Sequence, residues 1–138
     1  MRGQRVYCSN RNRRGGCGRT FAICLAEALP RHGVDAAALS RLLAALLAGQ
    51  SLKAAAEAVR TPFALETFYH LCARMRRRLD ALRVLLCRDT APPACVSADA
   101  FPQTLAHLRA TFLAANPGAD MSGMCAWFQM RFQRPFLG

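Results

Sequence analysis

Apolar residues spaced alternately three and four positions apart run through the middle of the chain. They are Leu65, Phe68, Cys72, Met75, Leu79, Leu82 and Leu86. This spacing places side chains on one face of an α-helix. The pattern therefore predicts one long helix of roughly 24 residues. We expect its apolar face to be buried against other helices of the chain or against a second copy.

Four further helices are predicted from caps, breaks and apolar periodicity. Each begins after a residue suited to an N-cap and ends near glycine or proline. Their expected ranges are Asp35–Gly49, Leu52–Val59, Asp99–Asn116 and Asp120–Phe132. The expected fold is an all-α bundle of about five helices with a short N-terminal loop or β-hairpin.

The chain is expected to have three parts. Residues 1–33 form a basic segment that contains cysteines, and residues 34–90 form a bundle with a helix-turn-helix. Residues 91–138 add a C-terminal helical pair that packs on this bundle. The break before this last part is Ala91-Pro92-Pro93-Ala94, a sequence typical of a linker.

The formal net charge of +11 is concentrated in two short segments. Residues 1–20 contain six arginines and no acidic residue, and residues 74–88 contain six arginines and Asp80. In the rest of the chain the charges cancel. Two basic patches on a neutral body indicate a polyanionic partner. An acidic protein partner or a merely solvated surface remains the alternative.

The order short helix, break, long helix over residues 49–78 is also that of a helix-turn-helix. In that motif the start of the second helix enters the major groove of DNA. Glu66, Thr67, His70 and Arg74 would then project outward near base edges. Arg76, Arg77 and Arg78 would lie further along, near phosphates. Simple helical bundles share this order of elements.

The N-terminal segment contains the pattern of a metal-binding knuckle. Cys8 and Cys17 lie among polar, basic and glycine-rich neighbours, and the string Cys17-Gly18-Arg19-Thr20-Phe21 has the order in which a zinc-ribbon knuckle ends. Zinc requires four ligands, and Cys24 and His32 are candidates for the remaining two. A zinc shared between two chains and a loop without metal are the alternatives. With or without metal, the arginines Arg11, Arg13, Arg14 and Arg19 would contact phosphate.

These strings together resemble a known group of proteins. The segment RVYCSNRNRRGGCGRTF, the helical region after Gly49 and the ending FQMRFQRPFLG resemble small bacterial transposase-related proteins with a zinc-ribbon knuckle and a helix-turn-helix. The resemblance covers most of the chain, and its most specific part is the cysteine string.

The resemblance implies sequence-directed binding of double-stranded DNA by a protein associated with a mobile element. A transposase or a second copy would be a further partner, and the location would be the bacterial cytoplasm, at the nucleoid. By position, Cys8 and Cys17 match metal ligands, and the outward residues of the long helix match the DNA-reading face. One departure concerns the metal, because a complete ribbon would carry another C-x-x-C pair ahead of Met1.

Other classes of function are disfavoured by the sequence. There is no apolar run of about 18 residues that would span a membrane and no signal-peptide pattern. The eight acidic residues are scattered, and no histidine is paired with a nucleophile, so we expect neither catalysis nor a small-molecule substrate. His70 and His107 are expected on exposed helix faces.

Two alternatives to DNA binding remain. The same arginines would suit structured RNA. A protein-interaction or dimerisation module would instead use the aromatic residues Trp127, Phe128, Phe132 and Phe136.

Overall fold

The computed structural model describes residues 4–9, 15–23 and 25–138, which form an N-terminal β-hairpin followed by six α-helices. The strands are β1 (Gln4–Tyr7) and β2 (Thr20–Ile23). The helices are α1 (Ala36–Leu47), α2 (Leu52–Val59), α3 (Leu65–Arg76), α4 (Leu79–Leu86), α5 (Ala100–Ala115) and α6 (Met124–Phe132). A 3₁₀ turn over Met121–Gly123 precedes α6. The predominantly helical character predicted from the sequence is confirmed. None of the helices in these residues is long and apolar enough to cross a membrane.

The hairpin pairs β1 and β2 in antiparallel register, with Tyr7 opposite Thr20. Beyond the strands the pairing continues, because the Cys8 amide donates to the Arg19 carbonyl at 2.8 Å and the Gly18 amide donates to the Cys8 carbonyl at 2.9 Å. Gly18 has a φ of +67°, a conformation that glycine adopts without a steric penalty. The segment that begins at Thr20 therefore starts as a strand rather than as a helix.

Local capping sets the starts of α1, α2 and α5, as predicted. The Asp35 carboxylate accepts a hydrogen bond from the Ala38 amide at 2.6 Å, and the Ser51 hydroxyl accepts one from the Ala54 amide at 3.2 Å. Asp99 accepts one from the Phe101 amide at 2.9 Å. Each cap satisfies an amide that has no partner within its own helix.

The prediction of a single long helix over residues 65–86 is wrong. The chain forms α3 and α4, separated at Arg77 and Arg78, where the Arg78 amide donates to the Met75 carbonyl three residues back at 2.9 Å. Apolar periodicity records which side chains are buried, and Phe68, Met75 and Leu86 are indeed buried. It does not require continuous backbone hydrogen bonding. Arginines at positions i, i+3 and i+4 disfavour a continuous helix at this point.

The C-terminal tail is packed into the core. Phe136 and Leu137 are buried, and Phe136 contacts the ring of Phe128. Gln129 holds this arrangement, because its Oε1 accepts from the Phe136 amide at 3.0 Å and its Nε2 donates to the carbonyls of Ala26 and Ala28. One side chain of α6 thus joins the segment before α1 to the tail.

Candidate nucleic-acid interface

The face of α3 that points away from the core carries mostly polar residues. Glu66, His70 and Arg77 are exposed, and they are spaced so that they follow one another along the same side of the helix. Tyr69, beside His70, is 54% exposed. These exposed side chains provide a carboxylate, an imidazole, a phenol and a guanidinium within three helical turns.

Two residues predicted on this face lie at its edge instead. Thr67 and Arg74 are half-buried. The Arg74 guanidinium is turned towards the tail, where Nε donates to the Leu137 carbonyl and Nη2 donates to the Gly138 carbonyl, each at 2.9 Å. Arg74 therefore anchors the tail and does not project outward near base edges.

The arginines after Arg74 differ in their surroundings. Arg76 approaches Asp99 at 3.4 Å, and its guanidinium lies 4.3 Å from the centre of the Phe101 ring. Arg77 is exposed, whereas Arg78 is half-buried and its Nε is buried without a hydrogen-bond partner. Arg76 thus joins the end of α3 to the start of α5, while Arg77 remains directed to the surface.

Acidic side chains neutralise few of the basic ones. Among the residues that the structure describes, two ion pairs occur, Arg76 with Asp99 and Arg131 with Asp89. Both Arg76 and Asp99 are 52% exposed at their side chains, and such pairs contribute little to stability. The positive charge of Arg77 and its neighbours is therefore left to the solvent or to a partner.

The hairpin brings the two candidate metal ligands together. The Cys17 amide donates to Cys8 Sγ at 3.3 Å, so the two cysteines lie close together. Arg19 is exposed next to them, while Arg11, Arg13, Arg14 and Cys24 lie outside the described residues.

Two thiols supply half of a tetrahedral zinc site. In the described part of the chain, no group of three or more histidine, cysteine or acidic side chains is placed to hold a metal. His32 is half-buried, and burial together with the nearby charge of Arg74 lowers the pKa of its imidazole. The described residues alone therefore do not complete a site for zinc.

Of the cysteines after Cys24, Cys72 and Cys125 are buried, whereas Cys87 and Cys95 are exposed. Burial raises the pKa of Cys72 to about 11 and that of Cys125 to about 12, so both are neutral thiols inside the core. The burial of Cys72 was predicted from its place on the apolar face. His70 is exposed, but the expectation of an exposed His107 is wrong. Its Nε2 lies 3.0 Å from the Thr90 carbonyl and 3.1 Å from the Thr90 hydroxyl. This contact joins the end of α4 to α5.

The aromatic residues proposed as a partner surface belong largely to the core. Phe128 and Phe136 are fully buried, and Trp127 and Phe132 are half-buried. Trp127 packs edge-on against Phe112 and Phe132, with ring centres 5.7 and 6.0 Å apart. Their main role is to hold α5, α6 and the tail together.

Two features of the site were not predicted from the sequence. Tyr69 lies one residue from the buried Phe68 and one from the exposed His70, so the helical pattern places it at the margin of the exposed face. The contact between Arg74 and the tail joins residues more than 60 positions apart, and no local pattern indicates it.

Comparison of the chain with protein-family models, curated proteins and solved structures finds no match.

Proposed function

We propose that this protein binds double-stranded DNA, with α2 and α3 acting as a helix-turn-helix and the hairpin arginines contacting the backbone. The observation that carries the proposal is the uncompensated charge at the end of α3. Arg77 is exposed and, in the part of the chain that the structure describes, has no acidic partner. A phosphate backbone provides a dense row of negative charges for such a surface.

The proposed orientation places the start of α3 towards the major groove. Glu66 and His70 lie on the exposed side before Arg77, and the corresponding end of a recognition helix reads base edges. A carboxylate accepts from the amino group of cytosine, and an imidazole hydrogen-bonds to purine edges. Glu66 also lies in the first turn of α3, where its negative charge interacts favourably with the helix dipole.

The resemblance of the cysteine string to small bacterial transposase-related proteins suggests the biological role of this DNA binding. We infer a DNA-binding or regulatory protein of a mobile element, acting with a transposase or with a second copy. Zinc held by Cys8 and Cys17 with further ligands would stabilise the hairpin in this setting. The charge argument for DNA binding does not depend on the metal.

A salt titration tests the proposal. Fluorescence anisotropy of a labelled duplex, measured at increasing NaCl, should give a log–log slope of about −5 to −7, as about six to eight phosphate contacts would produce. Arg77→Ala should weaken binding several-fold and make the slope less negative by about one. Arg109→Ala serves as the matched control, because Arg109 is exposed on α5, outside both basic segments.

The outcomes separate the possible partners. A flat salt dependence would overturn nucleic-acid binding altogether. An equal loss in the Arg77→Ala and Arg109→Ala variants would overturn the placement on α3. Preferential competition by structured RNA over duplex DNA would replace DNA with RNA as the partner.

A further inference from the structure

A cavity lined by three arginines lies where the α3–α4 junction meets the tail. Its volume is about 280 Å³, and it is lined by Arg74, Arg77, Arg78, Leu137 and Gly138. This cavity adjoins the exposed face of α3 that carries Glu66 and His70, because Arg77 belongs to both.

The tail uses only part of the hydrogen-bonding capacity of this cluster. Arg74 donates through Nε and Nη2 to the carbonyls of Leu137 and Gly138. A guanidinium has five N–H donors, so Arg74 retains three. The Arg77 side chain makes no hydrogen bond or ion pair with any described residue. These two oxygen atoms leave most of the N–H donors of the three guanidinium groups without an acceptor among the described residues.

Arg78 has a buried N–H donor that no acceptor satisfies. Its Nε is buried without a hydrogen-bond partner. Its guanidinium is also held close to Gly138, since a Cβ placed on Gly138 would lie only 1.8 Å from Arg78 Nη1. A buried donor without a partner is unfavourable, and an acceptor that enters the cavity would relieve this cost.

The surroundings confirm that the charge of the cluster is poorly neutralised. None of the side chains that line the cavity is acidic. Burial and the positive charge of Arg74 both lower the pKa of His32. The neutral form of this imidazole is therefore favoured beside the arginines. The cluster therefore suits a compact anion with several acceptor oxygens.

We propose that this three-arginine cavity binds one phosphate group of the DNA backbone, in contact with Arg77 and Arg78. The inference rests on the proposed function and adds to it a defined anchoring point beside α3. Guanidinium groups bind phosphate through paired N–H···O hydrogen bonds, which lysine cannot reproduce. Arg74 keeps the tail in place and so maintains one wall of the cavity.

Binding of inorganic phosphate to the full chain tests the cavity without DNA. Phosphate is titrated at constant ionic strength while the Nε–Hε resonances of the arginines are followed by NMR. We expect saturable shifts at Arg77 and Arg78 and, in the Arg77→Lys variant, about tenfold weaker binding, which corresponds to the loss of one paired contact. The matched control Arg109→Lys should bind phosphate as the unmodified protein does.

The same variants in the DNA salt titration separate this inference from the proposed function. Saturable phosphate binding that Arg77→Lys weakens, together with weaker DNA binding by that variant, supports both. Phosphate binding at Arg77 and Arg78 without any DNA binding supports the cavity as a site for phosphate groups and overturns DNA as their source. DNA binding without saturable phosphate shifts, or with shifts equally affected by Arg109→Lys, overturns the cavity and leaves the proposed function standing.

Discussion

Ser40 illustrates how a single buried side chain joins two helices. It is fully buried in α1, donates to the Ala36 carbonyl at 2.7 Å and accepts from the Cys125 amide at 2.9 Å. Cys125 lies in the first turn of α6, which has no side-chain cap of its own. Ser40 therefore caps α6 from a different helix.

We expect Ser40→Ala to lower the free energy of unfolding by about 1–3 kcal/mol, because the buried Cys125 amide would lose its acceptor. Urea denaturation followed by circular dichroism measures this change. Thr104→Val is the matched control, since the buried Thr104 hydroxyl donates to the Ala100 carbonyl at 2.7 Å and accepts from no amide in the described residues. A similar loss of stability in both variants would contradict the capping role of Ser40.

The connection between α2 and α3 contains a residue in an unfavourable backbone conformation. Arg60 ends α2 with φ 52° and ψ 52°, in the left-handed region that favours glycine. We expect Arg60→Gly to stabilise the protein relative to Arg60→Ala by about 1 kcal/mol. Both variants remove the same charge and side chain, so their difference in thermal unfolding isolates the backbone. Equal stability of the two would show that this conformation carries no cost.

The helix boundaries that the sequence predicted correctly are those set by local contacts. Asp35, Ser51 and Asp99 each cap a helix within three residues of their own position. The break between α3 and α4 was not predicted, although the burial of Phe68 and Met75 was. Burial periodicity survives a short change in backbone hydrogen bonding, so this change leaves no trace in the pattern.

In the candidate site, too, the features that were predicted correctly depend on local spacing, and those that were missed depend on distant contacts. The exposure of His70 and Arg77 follows from their position opposite the buried side of α3. The inward turn of Arg74 depends on carbonyls at the other end of the chain, and the burial of His107 depends on Thr90 across the α4–α5 connection. Such contacts arise only when distant segments pack, so the spacing of neighbouring residues does not reveal them.

At the scale of the whole molecule, repulsion among the many basic side chains is offset by few ion pairs. The formal net charge is +11, and the ion pairs found in residues 4–9, 15–23 and 25–138 involve only Arg76 and Arg131 as bases. The core that resists this repulsion extends from Leu29 to Leu137 and closes over the tail. The same charge excess that favours a polyanionic partner therefore destabilises the isolated chain.

We expect the melting temperature of the protein without nucleic acid to rise as NaCl is raised from about 0.01 M to about 0.1 M, because the Debye length falls from about 30 Å to about 10 Å. Differential scanning calorimetry measures this rise. Arg109→Glu lowers the net charge by two units at an exposed site of α5, so its melting temperature should respond less to salt. A melting temperature that falls with salt would mean that the few ion pairs outweigh the repulsion, and the excess of positive charge would then no longer argue for a polyanion.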